Sequence, residues 1–228
     1  MPSPALIFDL DGTLVDTAPD LLGAMNAVLI AQGRRPVDPQ TLRHMVGFGA
    51  RSLIQQAFAA TGPTATEDRL PALVDDFIAH YRAHVADESV PFAGVEETLA
   101  ELKAGGARMG VLTNKPQELA VPLLKALKLD RFFGAIHGAG RYSYSKPDAR
   151  VFHHVIDELG GAGSSALMIG DSITDVKTAR AANVPVILLS YGYTPDPAHG
   201  LGADAVTDDF RDIPALARRL MAEKIKPA

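Results

Sequence analysis

Short apolar runs recur along the chain, each halted by a polar turn, and they set the first expectations about the fold. Ala5-Leu6-Ile7-Phe8 stops at Asp9-Leu10-Asp11-Gly12, and Met109-Gly110-Val111-Leu112-Thr113 stops at Asn114. Ala166-Leu167-Met168-Ile169-Gly170 ends in Asp171, and Val186-Ile187-Leu188-Leu189 ends in Ser190. Uninterrupted apolar runs of this length, bounded by turn residues, fit strands buried on both faces. Helix-like stretches lie between them, at residues 95–103, 119–127, 149–159 and 175–182. Strands alternating with helices predict βαβ units and a parallel sheet, which Ala135-Ile136-His137 and Asp204-Ala205-Val206-Thr207 extend.

From about residue 16 to about residue 90 the pattern changes to helical periodicity without buried strand runs. Leu21, Leu22, Met25, Val28 and Leu29 form one stripe; Leu53, Ile54, Ala57 and Phe58 form a second, and Leu73, Val74, Phe77, Ile78 and Tyr81 a third. The pattern predicts an α/β core formed by residues 1–15 and 91–228, interrupted by an all-helical insertion over residues 16–90. Pro91-Phe92-Ala93-Gly94, rich in turn residues, marks the return to the core.

Composition narrows the function classes. The chain has 228 residues, 47% hydrophobic and 21% charged, a soluble globular balance that excludes disorder. Its 22 Lys and Arg against 27 Asp and Glu give a net charge of −5, without the basic patch that a nucleic-acid partner requires. The absence of cysteine removes disulfides, thiolate metal sites and a cysteine nucleophile, and is compatible with a reducing compartment. The apolar run at the N-terminus is broken by Asp9 and Asp11, so it fits neither a signal peptide nor a membrane span. A cytoplasmic protein with no membrane partner is expected.

Asp9 and Asp11 stand two apart at the end of the first strand, a spacing that directs both carboxylates to the same side. An isolated Asp-x-Asp reads as a turn. Asp9-x-Asp11-Gly12-Thr13 is more specific: at roughly 6% usage per residue type, it arises by chance in on the order of a few chains per thousand of this length. Polar groups also follow other elements, as Thr113-Asn114, Ser145-Lys146-Pro147 and Gly170-Asp171-Ser172-Ile173-Thr174-Asp175. Taken singly, Thr113 reads as a local strand-end residue, Lys146 as a solvated charge and Asp171 as a helix cap. Open parallel sheets bind ligands beyond the carboxyl ends of their strands, where all of these groups gather.

Taken in order, these segments resemble the haloacid dehalogenase-like phosphatases, in particular their phosphoglycolate phosphatase-like branch. The matching motifs are Phe8-Asp9-Leu10-Asp11-Gly12-Thr13-Leu14-Val15-Asp16-Thr17, Val111-Leu112-Thr113-Asn114-Lys115, Ser145-Lys146-Pro147-Asp148 and Ile169-Gly170-Asp171-Ser172-Ile173-Thr174-Asp175. The resemblance implies a Rossmann-like core with a helical cap inserted after the first motif. It also implies that Asp9 attacks phosphorus while Asp11 protonates the leaving oxygen and later deprotonates water. Thr113 and the backbone N–H of Asn114 would hold phosphoryl oxygens, and Lys146 would neutralise transition-state charge. Carboxylates facing a phosphate dianion call for a hard cation such as Mg²⁺, and the resemblance implies Asp9, the Asp11 carbonyl and Asp171 as its ligands. Asp175 would orient Lys146 or a water on the metal.

The same resemblance points to 2-phosphoglycolate among small phosphorylated metabolites as substrate; a monomer or homodimer is expected. His44, Gly47 and Arg51, in or beside the segment Val46-Gly47-Phe48-Gly49-Ala50-Arg51, are expected at the non-phosphate end of the substrate. A sugar-phosphate mutase, a pyrophosphatase and a non-catalytic phosphoacceptor are the alternatives; Thr13, where related mutases usually carry Val, favours hydrolysis. His80 and His84 have the spacing of a zinc pair but lack the Glu and third ligand of such a site. Gly138-Ala139-Gly140 and Gly160-Gly161-Ala162-Gly163 read as turns, not as a dinucleotide fingerprint.

Overall fold

Strands β1 (Ala5–Phe8), β4 (Arg108–Pro116), β5 (Ala135–Ala139), β6 (Ala166–Gly170), β7 (Val186–Leu189) and β8 (Ala205–Thr207) form one sheet in the order β5-β4-β1-β6-β7-β8, with every neighbouring pair parallel. This arrangement comes from a computed structural model that describes residues 4–161 and 165–225. Ala162 and Gly163 of the glycine-rich turn, and both tips of the chain, lie outside the described residues. The two-residue strands β2 (Val15–Asp16) and β3 (Val90–Pro91) pair antiparallel in a separate ribbon.

The sheet is covered on both faces, and the period of two decides which side chain meets which layer. Leu6 and Phe8 of β1 join Val111, Ile169 and Ile187 in one cluster with helices α5 (Val95–Ala104), α6 (Gln117–Ala126) and α9 (Ile213–Ile225). Ala5 and Ile7 point the other way, into a cluster with Met168, Leu188 and helices α7 (Ala149–Glu158) and α8 (Ile173–Ala181). Double coverage is why these strands read as unbroken apolar runs.

Helices α1 (Ala18–Ala31), α2 (Pro39–Arg43), α3 (Ala50–Thr61) and α4 (Leu70–Ala83) follow β2 and precede β3. Leu21, Met25, Leu29, Leu42, Ile54, Phe58, Phe77 and Tyr81 pack together as a third cluster, which reaches the α/β core through Leu119 and Tyr193. The ribbon straddles the expected boundaries near residues 15 and 90, so insertion and core share it.

Two helices escaped the sequence pattern. α2 spans five residues, too short for periodicity to register, and α9 mixes its apolar positions with Arg218, Arg219 and Glu223. β4 runs to Pro116, beyond the expected end at Thr113, because its pairing with β5 resumes after a register shift between Leu112 and Pro116.

Candidate active site

β1 ends at Phe8, so Asp9 and Asp11 lie beyond the strand, and the turn, not strand alternation, places them. Asp9 still donates its backbone N–H to Ile169 at 2.8 Å, anchoring it between β1 and β6. The turn is closed by Gly12 N–H to Val15 and by Leu14 N–H to Leu10, both 3.0 Å. Gly12 adopts φ +81°, and a Cβ there would stand 2.6 Å from an Asp171 carboxylate oxygen. Backbone conformation and crowding thus both demand glycine at that position.

The four motifs converge at the carboxyl ends of the central strands. The Lys146 ammonium lies 2.9 Å from Asp9 Oδ2 and 2.7 Å from Asp175 Oδ1. Asp175 also closes a capping box at the start of α8, its Oδ2 accepting from the N–H groups of Asp171 and Ser172 and from Ser172 Oγ. Both of its oxygens are therefore engaged. Asp171 accepts from Thr13 Oγ1 at 2.9 Å and from Tyr193 N–H at 2.8 Å. Asp9, Asp171 and Asp175 each present an oxygen within 4.8 Å of the others, all three side chains being buried.

Charge on this cluster is unbalanced. Burial pushes the Asp9 carboxyl up to about 6, opposed by the Lys146 charge and reinforced by Asp175. Burial, then Asp175 and Asp9, drives Asp171 well above the ordinary carboxylate range. Burial disfavours the Lys146 charge, yet Asp175 and Asp9 together outweigh it and hold that lysine above its usual value. Three buried carboxylates around one ammonium, all offering hard oxygen donors, form a set that suits a divalent cation such as Mg²⁺.

Asp11 faces a different partner. Its Oδ1 accepts from Thr17 Oγ1 at 2.8 Å and from the Lys115 ammonium at 2.9 Å. Lys115 in turn donates to Tyr81 OH at 2.5 Å and lies 4.2 Å from that ring's centroid, joining the end of β4 to α4. Thr113 Oγ1 accepts from Lys115 N–H at 3.1 Å, while Asn114 Nδ2 reaches the carbonyls of Gly47 and Lys146, each at 3.3 Å. These groups border a cavity between sheet and insertion, whose walls include Asp9, Asp11, Thr113, Asn114 and Gly47.

Two expected residues are elsewhere. Arg51 turns outward to pair with Glu67, and His44 is exposed at the end of α2; neither borders the cavity. Gly49 and Ala50, at the start of α3, line the cavity, whereas Arg51, the next residue, is held outside it by Glu67. Sequence reasoning gave no role to Lys115, Tyr81 or Tyr193. Lys115 adjoins a quoted motif and carried a usable signal; Tyr81 was absorbed into an apolar stripe, and Tyr193 carried none.

Residues 6–189 match the family profile described as haloacid dehalogenase-like hydrolase. The chain belongs to the haloacid dehalogenase-like hydrolases. Among its relatives in this family, a phosphoglycolate phosphatase of Caulobacter vibrioides is 48% identical over 209 residues, covering 92% of this chain and 88% of the relative. One from Agrobacterium fabrum is 45% identical over 222 residues, covering 97% and 95%. The crystal structure of a predicted phosphoglycolate phosphatase from Haemophilus somnus superposes with a TM-score of 0.86 at 29% identity, covering 95% of this chain and 98% of that one. Within this hydrolase fold, no helix among the described residues is long and apolar enough to cross a membrane.

Proposed function

We propose that this hydrolase is a Mg²⁺-dependent phosphatase of small phosphomonoesters, converting 2-phosphoglycolate to glycolate and inorganic phosphate in the cytoplasm as a monomer or homodimer. The observation that carries the reading is the buried Asp9 carboxylate held between Lys146 and an acidic cluster at the floor of a small cavity. The names of the relatives in Caulobacter and Agrobacterium support the substrate.

Asp9 attacks phosphorus, forming a carboxyl oxygen–phosphorus bond as the ester oxygen departs with a proton from Asp11. Water then cleaves the aspartyl-phosphate, Asp11 takes the water's proton, and Asp9 is regenerated. Splitting the displacement through a carboxylate nucleophile replaces one difficult step with two easier ones. The Asp9 and Asp171 carboxylates with the Asp11 carbonyl would hold Mg²⁺, which when bound neutralises phosphate charge and acts as a Lewis acid. Asp175, with both oxygens engaged, orients Lys146. Lys146, Thr113 and the Asn114 N–H steady the phosphoryl oxygens as charge develops on them. Residues 16–90 act as a cap, and the cavity beneath them limits the substrate's size and excludes bulk water.

The test is phosphate release from small phosphomonoesters and pyrophosphate by wild type and Asp9→Asn, with Mg²⁺ or excess chelator. Metal-dependent release by the wild type, best on 2-phosphoglycolate and lost in Asp9→Asn, is expected. Undiminished release by the variant would refute the nucleophile.

A further inference from the structure

Groups that would meet phosphate have been described above, but the rest of the cavity's lining poses its own chemical question. Leu21, Met45, Val46, Leu53, Phe77 and Leu119 make the rest of the lining largely apolar. A substrate carrying a second anion needs a counter-charge there, since an unpaired carboxylate loses its hydration on entering such a space. Arg51, the expected counter-charge, is committed to Glu67. Among the described residues bordering the cavity, Lys115 supplies the one cationic side chain.

We infer that Lys115 selects the substrate, its ammonium receiving the carboxylate of a short phosphorylated hydroxy acid. The inference rests on the phosphatase reading and deepens it. Distance along the substrate supports it: the departing ester oxygen must lie against Asp11, and in a 2-phospho acid the carboxylate is two bonds beyond that oxygen. Lys115 stands one hydrogen bond beyond Asp11, at 2.9 Å from Oδ1. The side chain is fixed for the task, 2% exposed and held on its other side by Tyr81 OH. An ammonium has three N–H donors; Asp11 and Tyr81 occupy two of them. The first turn of α3 opens on the same cavity and adds the favourable end of a helix dipole. Because Tyr81 belongs to the insertion and Lys115 to the core, the carboxylate subsite is complete only with the two in contact.

The experiment compares kcat/KM for 2-phosphoglycolate with kcat/KM for ethyl phosphate, a molecule of similar length without the carboxylate. Their ratio is measured in wild type, Lys115→Met, Lys115→Arg and Tyr81→Phe. The ratio does not depend on what fraction of a variant folds. A lost charge-assisted hydrogen bond in a buried site lowers it by about 10- to 100-fold in Lys115→Met, chiefly through KM for 2-phosphoglycolate. Lys115→Arg restores part of the preference, and Tyr81→Phe lowers it less than Lys115→Met does. An equal fall on both substrates, or an unchanged ratio, overturns the inference and leaves the phosphatase reading standing. A wild type that releases phosphate from neither compound overturns both.

Discussion

Asp9 shows how a single side chain is tuned by its surroundings. Burial raises its carboxyl from 3.8 to about 6, so the folded protein holds a proton that the unfolded chain releases near pH 4. Between those values folding takes up a proton, and the contribution of Asp9 to stability falls as pH rises. Replacing it by Asn, which has no proton to lose, removes this dependence. In chelator, the melting temperature of Asp9→Asn relative to wild type is expected to climb from pH 4 to pH 6 and level off above. A difference that stays flat across that range would show that Asp9 titrates normally. At the same scale, Asp175 illustrates how one carboxylate serves backbone and site together: it caps α8 and fixes Lys146.

At the level of elements, the joint between core and insertion is fastened by polar contacts to backbone. Asp20, in the first turn of α1, is buried and accepts from the N–H groups of Glu88 and Ser89 and from Ser89 Oγ, pinning the chain as it returns to β3. On the outgoing side, Tyr193 OH accepts from the N–H groups of Thr17 and Ala18 at 2.7 and 3.0 Å and donates to Asp16, while its own N–H holds Asp171. Arg43 of α2 adds an ion pair to Asp16 at 2.8 Å. Removing the Asp20 carboxylate strands buried donors, at a cost of about 1–3 kcal/mol for each one left unsatisfied. Asp20→Ala is therefore expected to lower the urea midpoint with little change in slope, as equilibrium unfolding would show; an unmoved midpoint would mean that water satisfies those donors.

Across the whole molecule, the three apolar clusters divide the work. Two flank the sheet and one fills the insertion, bridged to the core chiefly by Leu119 and Tyr193. A cluster with few bridges can open on its own, since local unfolding follows the boundaries of contiguous packed units. In native-state hydrogen exchange, α1, α3 and α4 should share one protection level below that of β1, β4 and β6. Equal protection throughout would make the protein a single cooperative unit and count against an independently moving cap.

Much of this architecture was legible in the residues themselves. Buried strands declare themselves as apolar runs, and β6 and β7 begin and end where the runs do, because double coverage leaves no polar face to blur them. The helical insertion showed in its changed period, and Asp9, Asp11, Lys146, Asp171 and Asp175 stood out through local motifs. What lay beyond the sequence was direction and partnership. Whether Arg51 faces the cavity depends on how α3 is rotated and on Glu67, sixteen positions further along the chain. The contact of Lys115 with Tyr81 spans 34 positions, and that of Tyr193 with Asp16 spans 177. The sequence by itself determined which elements form and which chemical groups stand at the strand ends, since both follow from neighbours within a few residues. Only the tertiary structure decided which charges meet, because long-range pairing is settled by how whole elements pack.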